Sequence, residues 1–376
     1  MIRAYLDNNA TTRTSEEVIA AMLPYFRELY ANPSSAAGQV IGADRIVAEA
    51  KRAAALLLGS ADLATEIVLT SGASESNSWA FHAPMLKAGD QIVVSAIEHP
   101  SILSACAAAE AYGVRVALVG CDENGSISES AFRAAVGSDT RLICVMLANN
   151  ETGVIQPVER LSAIARERAP SSLIHCDVTQ ALGRIPVDLS EALAEVDLAS
   201  FSAHKFHGPK GIGGMFIRSG TNIRPILYGE QEKGLRGGTI NSPGAAGLAR
   251  ACEMARVGLS SMANVKALRD DLEEQLLERI SGVSVNGRRA PRLPNTSSLT
   301  IRGLDAAEAV DELARRGICV ANGSACTAGS DAPSHVLIAM GVSYEDAFQT
   351  IRVSLSRDTS ADDVALLVTE LVDLAK

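Results

Sequence analysis

The sequence has few aromatic residues and no long apolar run. Phenylalanine, tyrosine and tryptophan make up 4% of the 376 residues although 47% are hydrophobic, so the cores must be built mainly from aliphatic side chains. No run approaches the roughly 20 apolar residues of a membrane helix, and the amino-terminal stretch MIRAYLDNNATT has no signal-peptide core. These absences predict a chain that neither spans a membrane nor is secreted.

Basic residues are also scarce. The formal net charge is -10 at pH 7, which argues against nonspecific binding to nucleic acid or to an anionic membrane surface. The chain has seven lysines against 27 arginines, so few amines compete for a chemical role.

Cysteines that could pair locally are absent. The seven cysteines form no C-x-x-C pair and no metal-ligand spacing, so we expect no metal site. A scattered, odd-numbered set predicts a reducing cytoplasm. Those in apolar runs, such as Cys144 and Cys176, are expected to be small buried residues. The seven are Cys106, Cys121, Cys144, Cys176, Cys252, Cys319 and Cys326.

The chain does contain a regular alternation of short β-rich runs with alanine-rich helical segments. Such buried strands, separated by helical crossovers, predict an α/β fold with a mostly parallel seven-stranded sheet covered on both faces. No helix separates the last two strands, which predicts one antiparallel strand. The predicted strands are 66–70, 91–95, 114–119, 142–147, 173–177, 197–201 and 213–217, and the helices are 74–86, 101–112, 129–136 and 157–168.

The pattern changes after Gly238. A long helical stretch from 243 to about 280 precedes short strands and further helices, which predicts a smaller α+β domain. We expect residues 14–258 to form a large domain, and residues 1–13 with 259–376 to form the small one. The strands predicted there are 283–286, 296–301, 319–321 and 351–355, and the helices are 306–316 and 361–375.

One lysine stands out in SFSAHKFHGPKG, residues 200–211. Lys205 follows a short apolar run and precedes a glycine-proline loop. The strand would fix the lysine while the loop leaves its amine accessible, as a Schiff base with an aldehyde cofactor requires. Pyridoxal phosphate is the leading candidate, and an ordinary solvated loop lysine is the alternative.

Other polar residues follow the predicted strands, where ligands collect in doubly wound sheets. In TSGASESN, Gly72 permits a tight turn and Ser74 can cap a helix whose first amides bind a phosphate. His99 precedes Pro100 at a helix start, where an imidazole can lie against an aromatic ring and exchange protons. A plain helix cap and an ordinary surface histidine are the alternatives.

The later strand ends complete this set. Asn150 in ANNETG can donate to a phenolate or a carboxylate, and it is otherwise a turn residue. Asp177 closes an apolar run, where a protonated pyridine nitrogen is a natural partner, and a buried structural aspartate is the alternative. Gln180 can reach a ring oxygen, while Ser202 and His204 are donors for phosphate oxygens. Together these residues describe a pyridoxal phosphate site.

Two further residues suit a substrate. Cys326 lies among glycine, serine, alanine and threonine in residues 321–335, which predicts an exposed loop and a thiolate nucleophile. Arg352, near the start of the last strand, can hold a carboxylate bidentately. The alternatives are an incidental loop cysteine and a surface salt bridge.

With these residues in hand, the chain resembles the cysteine desulfurases of the NifS/IscS type. These are pyridoxal phosphate enzymes of the aspartate aminotransferase fold (fold type I), and the likeness covers essentially the whole length. The segments that carry it are YLDNNATT, NPSS, TSGASESN, EHPSIL, ANNETGVIQPV, the segment 177–180, SAHKFHGPKG, RGGT, LPNT, GSACTAG and PSHVL.

The resemblance implies a role for each candidate residue. Lys205 would carry the cofactor, Asp177 would face its ring nitrogen, Gln180 its hydroxyl, and His99 would stack on the ring. Asn150 and Arg352 would bind the substrate carboxylate, and Cys326 would attack the sulfur. The phosphate would be held by Ala73, Ser74, Ser202 and His204 and, in a homodimer, by Thr239 of the partner subunit.

The implied activity converts L-cysteine to L-alanine, with a persulfide passed to acceptor proteins such as an iron–sulfur scaffold. The chain departs from the family pattern at Ala36 and Ala37, where a helper histidine is missing, and at Ala321 and Asn322, where serines are usual. Three other activities stay open. These are a selenocysteine lyase, an aminotransferase or kynureninase that would not need Cys326, and a noncatalytic sulfur-relay protein.

Overall fold

The computed structural model describes residues 1–323 and 332–376. Within these ranges the chain forms 13 strands and 14 α-helices. The strands are β1 (Ala4–Tyr5), β2 (Ile67–Thr70), β3 (Gln91–Ser95), β4 (Arg115–Val119), β5 (Thr140–Cys144), β6 (Leu173–Asp177), β7 (Leu198–Ser202), β8 (Gly213–Ile217), β9 (Val283–Val285), β10 (Thr296–Ile301), β11 (Ile318–Cys319), β12 (Ala321–Asn322) and β13 (Thr350–Ser354).

The helices lie before, between and after these strands. They are α1 (Glu16–Met22), α2 (Pro24–Arg27), α3 (Ala36–Ile41), α4 (Arg45–Leu57), α5 (Ala73–His82), α6 (Pro100–Glu110), α7 (Glu129–Ala135), α8 (Val158–Arg168), α9 (Ser242–Gly258), α10 (Met262–Arg279), α11 (Ala306–Arg315), α12 (His335–Ala339), α13 (Tyr344–Phe348) and α14 (Ala361–Leu374). None of the helices in the described ranges is long and apolar enough to cross a membrane.

The central sheet has seven strands in the order β2-β8-β7-β6-β5-β3-β4. Only β8 runs against its neighbours, pairing antiparallel with both β2 and β7, while the other pairs are parallel. This confirms the predicted mostly parallel sheet with one antiparallel strand. The direction of β8 follows from its short connection to β7, which contains no crossover helix.

The two faces of this sheet are covered by different helices. Leu69 and Ile143 lie in one apolar cluster with residues of α4 and α9. Their neighbours Val68 and Leu142 lie in another cluster with residues of α5 and α6. Successive side chains of a strand point to opposite faces, so continuous apolar runs are needed for a sheet that is buried on both sides.

A third apolar cluster joins the beginning of the chain to its last third. Ala4 and Leu6 pack with buried residues of α10, α11 and α14, which lie against the sheet β12-β13-β10-β9. The boundaries at residues 14 and 258 stay a prediction.

Several segments differ from the sequence predictions, among them the helix expected at 74–86, which ends at His82. The strand expected at 319–321 is divided, because β11 pairs with β1 while β12 pairs with β13. The helix expected from 243 to 280 is interrupted at residues 259–261, where the Ser260 and Ser261 hydroxyls bond to nearby backbone carbonyls and compete with the helical pattern. The strand expected at 142–147 ends at Cys144, although Leu147 N–H still bonds to the Asp177 carbonyl.

Candidate active site

A cavity of about 440 Å³ lies at the carboxyl ends of the central strands. It brings together predicted site residues that are far apart in the sequence, because parallel strands end at the same edge of a sheet. The nine predicted residues that line it are Ala73, Ser74, His99, Asn150, Asp177, Gln180, Ser202, His204 and Lys205.

One wall of the cavity is the amino terminus of α5. The helix begins at Ala73 with Gly72 as its N-cap, so the prediction that Ser74 caps it is wrong. Gly72 has φ 150°, a conformation that disfavours any other residue, and a Cβ there would lie 3.2 Å from Ser202 Oγ. The first N–H groups of a helix have no intrahelical acceptor. Together with the Ser202 hydroxyl, they form a cradle suited to a phosphate.

His204 lies beside this cradle in a half-buried position. Its Nδ1 is 3.1 Å from Thr11 Oγ1. Burial, together with the positive charges of Lys205 and Lys210, lowers the pKa of His204 to about 4. The imidazole is therefore neutral at pH 7, and it can donate one N–H without adding a positive charge.

Asp177 closes β6 with its carboxylate against the cavity. Asn77 Nδ2 donates to Asp177 Oδ2 at 2.9 Å, and the Thr179 backbone N–H donates to Oδ1 at 2.9 Å. Both donors are neutral, so they orient the carboxylate without cancelling its charge. A cationic group in the cavity, such as a protonated pyridine nitrogen, would complement it.

His99 lies just before α6, as predicted, and is its N-cap; the helix begins at Pro100, one residue before the predicted range of 101–112. Its Nδ1 accepts from Ser101 N–H at 3.1 Å, so we assign the ring proton to Nε2. Ser101 Oγ accepts from Asn77 Nδ2 at 2.9 Å, and Asn77 therefore connects the surroundings of His99 to Asp177. Burial lowers the pKa of His99. Sequence reasoning missed Asn77, although it lies in the same TSGASESN segment as the phosphate cradle.

Lys205 follows β7, at the end of a short 3-10 turn. Its Nζ donates to the carbonyl of Asn9 at 2.6 Å and to that of Ala10 at 2.7 Å. Gln180 Nε2 donates to the same Asn9 carbonyl at 3.0 Å. The amino-terminal segment therefore passes directly over the lysine. Sequence reasoning missed this contact, and the available signal was the run of polar residues in DNNATT, of which Asn9 is fully buried.

Asn150 lines the cavity, whereas Arg352 contacts it from outside the lining residues. Arg352 Nη1 donates to the Asn150 carbonyl at 3.2 Å, and its Nη2 donates to Asp7 Oδ1 at 2.7 Å. Arg352 is 2% exposed, so this ion pair is not the surface salt bridge weighed as the alternative. The guanidinium lies behind Asn150, and its Nε has no partner among the described residues.

Comparison with known proteins decides the family. Residues 4–367 match the model of the aminotransferase class-V family. The chain belongs to the aminotransferase class-V family. A protein of Klebsiella pneumoniae named "Cysteine desulfurase" is 40% identical over 372 residues, which cover 99% of this chain and 92% of that protein.

Solved structures of similar proteins have the same fold. A structure titled "NifS-like protein" superposes with a TM-score of 0.90 at 36% identity and covers 99% of both chains. A structure titled "SspA in complex with cysteine" has a TM-score of 0.81 at 31% identity and covers 94% of this chain and 98% of its own. These matches confirm the predicted fold type and the resemblance found in the sequence.

Thr239, another predicted residue of this class-V chain, lies apart from the cavity. It is exposed and lines a separate depression with Arg236. Its predicted role belongs to a partner subunit, so its place in one chain does not test it. Cys326 lies outside the described residues.

The other cysteines of this class-V chain are poorly suited to nucleophilic attack. Burial raises the pKa of Cys106 to about 12 and that of Cys121 to about 11, and it raises those of Cys144, Cys176, Cys252 and Cys319. Cys144 and Cys176 are buried, as predicted. A thiol with a raised pKa is protonated at neutral pH and is a weak nucleophile.

Beside His99, Glu98 is fully buried. Its Oε1 accepts from Met146 N–H at 2.7 Å and bonds to Ser95 Oγ, while Oε2 has no partner among the described residues. Burial, with a smaller contribution from the Asp177 charge, raises the pKa of Glu98 to about 8. The folded protein therefore holds a proton on Glu98 at neutral pH.

This proton makes stability depend on pH. Between about pH 4.5 and pH 8 the folded state binds more protons at Glu98 than the unfolded state does, so its contribution to the free energy of unfolding falls as pH rises. In Glu98→Gln this loss is absent. Urea unfolding measures the free energy of unfolding of the variant and of the parent at pH 5 and pH 8. The difference, variant minus parent, should be more favourable to the variant at pH 8 than at pH 5 by a few kcal/mol, on the order set by the pKa shift. Glu110→Gln, on the exposed end of α6, controls for removal of a carboxylate. A difference in the free energy of unfolding between Glu98→Gln and the parent that is equal at both pH values would contradict the prediction.

Proposed function

We propose that the chain is a cysteine desulfurase that converts L-cysteine to L-alanine and keeps the sulfur as a persulfide on Cys326. The observation that carries this proposal is one cavity that joins Lys205, Asp177 and the amino terminus of α5. The chain also belongs to a family in which full-length relatives are named cysteine desulfurase.

The residues of the cavity fit pyridoxal phosphate. The start of α5, Ser202 and neutral His204 supply donors for a phosphate, and the space left by Gly72 keeps that cradle open. The buried Asp177 carboxylate suits a protonated ring nitrogen, and Gln180 has a second N–H for the ring hydroxyl. When bound, this cofactor draws electrons from the substrate Cα, which allows the Cα proton to leave and the Cβ–S bond to break.

Lys205 has two tasks in this proposal. Its amine would hold the aldehyde group of the cofactor, and as a free amine it would remove the Cα proton of the substrate. The carbonyls of Asn9 and Ala10, at 2.6 and 2.7 Å, hold the amine at the cavity wall. His99 follows the carboxyl end of β3 and lines the same cavity, and its Nε2 proton can be given to the product as L-alanine forms.

Cys326 completes the reaction. Its thiolate attacks the substrate sulfur, an S–S bond forms as the Cβ–S bond breaks, and the electron pair and a proton end on Cβ. L-cysteine and an enzyme thiol thus give L-alanine and an enzyme persulfide, without an added oxidant or reductant. Asn150 and Arg352 bind the substrate carboxylate, for which Arg352 must share its guanidinium with Asp7 or give up that ion pair.

The partners are part of the same proposal. The enzyme acts as a homodimer in which Thr239 of the partner subunit binds the phosphate, and Thr239 is exposed in the single chain. The persulfide passes to an acceptor protein, such as an iron–sulfur scaffold. The cytoplasmic location predicted from the cysteines belongs to this proposal too.

The test is to incubate the purified holoenzyme with L-cysteine and a reductant and to measure alanine and sulfide. We expect the two products in equal amounts. Parallel reactions with L-selenocysteine compare the two substrates, and faster turnover of selenocysteine would favour a selenocysteine lyase. A cofactor-loaded protein that forms no alanine from cysteine would contradict the proposal.

A further inference from the structure

One carboxylate in the wall of the cavity lies where it would repel a phosphate group. Glu75 lines the cavity and belongs to the first turn of α5, directly after Ser74. Although burial alone would raise the pKa of Glu75, hydrogen bonds from Arg236 and Ser71 hold this pKa below its usual value. The side chain therefore carries a negative charge at neutral pH. A phosphate group is also anionic at this pH, and two like charges repel strongly where little water separates them.

The guanidinium of Arg236 neutralises this carboxylate. Its Nε donates to Glu75 Oε1 at 2.8 Å, and its Nη2 donates to Oε2 at 3.1 Å, which is the two-point geometry that best suits a carboxylate. The Ser71 backbone N–H also donates to Oε2, at 2.8 Å. The side chain of Glu75 is 13% exposed and that of Arg236 is 20% exposed, so water and salt screen the pair only in part.

The loop that carries Arg236 is held in place by other contacts. The Gly237 backbone N–H donates to the Leu227 carbonyl at 2.8 Å. The buried Glu232 carboxylate forms an ion pair with Lys51 of α4. The guanidinium is therefore brought to the carboxylate by a loop that is fixed on both sides, which distinguishes this pair from two flexible surface side chains.

The rest of the cavity offers a phosphate little positive charge. None of the described residues that line it is an arginine. Of its two lysines, Lys205 is proposed to hold the aldehyde group, and Lys210 is exposed. The cradle consists of backbone N–H groups, the Ser202 hydroxyl and His204, whose pKa of about 4 leaves it neutral at pH 7. An anion held mainly by neutral donors is sensitive to any net charge beside them.

From these contacts we infer that Arg236 sets the affinity of the cavity for a phosphate group by neutralising the Glu75 carboxylate beside the cradle. Arg236 does not itself line the cavity, so it acts through Glu75 as a positioning and charge-balancing residue. Thr239, in the same loop, has its proposed role in the partner subunit, whereas Arg236 serves the cradle of its own chain. This inference rests on the proposed function, in which the cavity holds pyridoxal phosphate.

The test compares the binding of pyridoxal 5'-phosphate with that of pyridoxal, which has no phosphate, to the full chain freed of cofactor. In Arg236→Met an unpaired carboxylate lies beside the phosphate, and we expect the dissociation constant for pyridoxal phosphate to rise by about tenfold. The dissociation constant for pyridoxal should change by less than about twofold, because its ring carries no anionic group to the cradle. Both constants are measured by absorbance titration, and melting temperatures report whether the variants fold.

The opposite change of charge predicts the opposite sign. Glu75→Gln removes the negative charge and keeps Arg236, so pyridoxal phosphate should bind at least as tightly as it does to the parent. The double variant Arg236→Met/Glu75→Gln should return to within about threefold of the parent, because the two charges act on each other. Arg236→Lys keeps the positive charge and should also stay within about threefold. The control is Arg133→Met, which removes a paired arginine outside the cavity lining and should leave both dissociation constants unchanged.

Several results would overturn the inference. One is a parent-like dissociation constant for pyridoxal phosphate in folded Arg236→Met, and another is an equal loss of affinity for pyridoxal, which would mean a general disturbance of the cavity. Weaker binding of pyridoxal phosphate to Glu75→Gln would also overturn it, and this variant decides the question if Arg236→Met does not fold. A parent that binds pyridoxal phosphate but forms no alanine from L-cysteine would contradict the proposed activity alone. A parent that binds no pyridoxal phosphate would overturn both.

Discussion

Replacing Lys205 with alanine should reduce the formation of alanine from L-cysteine by more than about a thousandfold, because both the attachment point of the cofactor and the base for the Cα proton are removed. Borohydride reduction of the parent, followed by peptide mapping, should place a pyridoxyl adduct on Lys205. The variant should carry no adduct at that peptide. The strand end that presents Lys205 and the two carbonyls that hold its amine support this expectation.

Lys210 provides the matched control, since it lines the same cavity and is exposed. A Lys210→Ala variant should still carry the adduct on Lys205, because the carbonyls of Asn9 and Ala10 hold the amine of Lys205. An adduct on any other lysine of the parent, or turnover retained in Lys205→Ala, would contradict the assignment of the cofactor site.

Replacing Cys326 with alanine should abolish desulfuration while the bound cofactor still responds to L-cysteine. Without the thiol, no sulfur acceptor lies at the substrate, and we expect alanine formation to fall by more than about a thousandfold. The six cysteines in the described ranges cannot substitute, because burial raises the pKa of each thiol. The measurements are alanine release, persulfide by mass spectrometry and cofactor absorbance.

Cys121 offers the control for this experiment. It is half-buried, and its pKa is raised to about 11, so Cys121→Ala should leave the persulfide on Cys326 unchanged. Turnover that persists in Cys326→Ala would favour an aminotransferase or kynureninase, which needs Lys205 and no thiol. Loss of the absorbance response in that variant would assign the cysteine a place in cofactor binding instead.

The central sheet could be predicted from the sequence because its strands are buried on both faces. Continuous apolar runs identified all seven strands, and the missing crossover before β8 indicated its direction. The strand predictions are wrong where the local sequence pattern does not reveal which strand a segment pairs with. Residues 318–322 contain two short strands separated by Val320, and only the positions of β1 and β13 decide that these strands belong to two sheets.

The site was predictable where residues directly follow a strand. Nine predicted residues line one cavity, because the carboxyl ends of neighbouring strands must lie together once the sheet forms. The hydrogen bond from Asn77 to the Asp177 carboxylate could not be predicted, because the two residues lie 100 positions apart in the sequence. Ser74 was misassigned as a cap because serine is a common N-cap residue, whereas the helix begins at Ala73 and its N-cap is Gly72, whose φ of 150° favours glycine.

The amino-acid sequence by itself determined the parallel sheet, the lysine at the end of its β7 strand and the cysteine in a segment of small residues. Each follows from local composition and from the order of strands. Only the tertiary structure decided that the carbonyls of Asn9 and Ala10 hold Lys205, and that the Ser334 hydroxyl bonds to the Glu151 carboxyl group. These contacts connect polar groups more than 170 residues apart, and no periodic pattern encodes them because they depend on where separately folded segments pack.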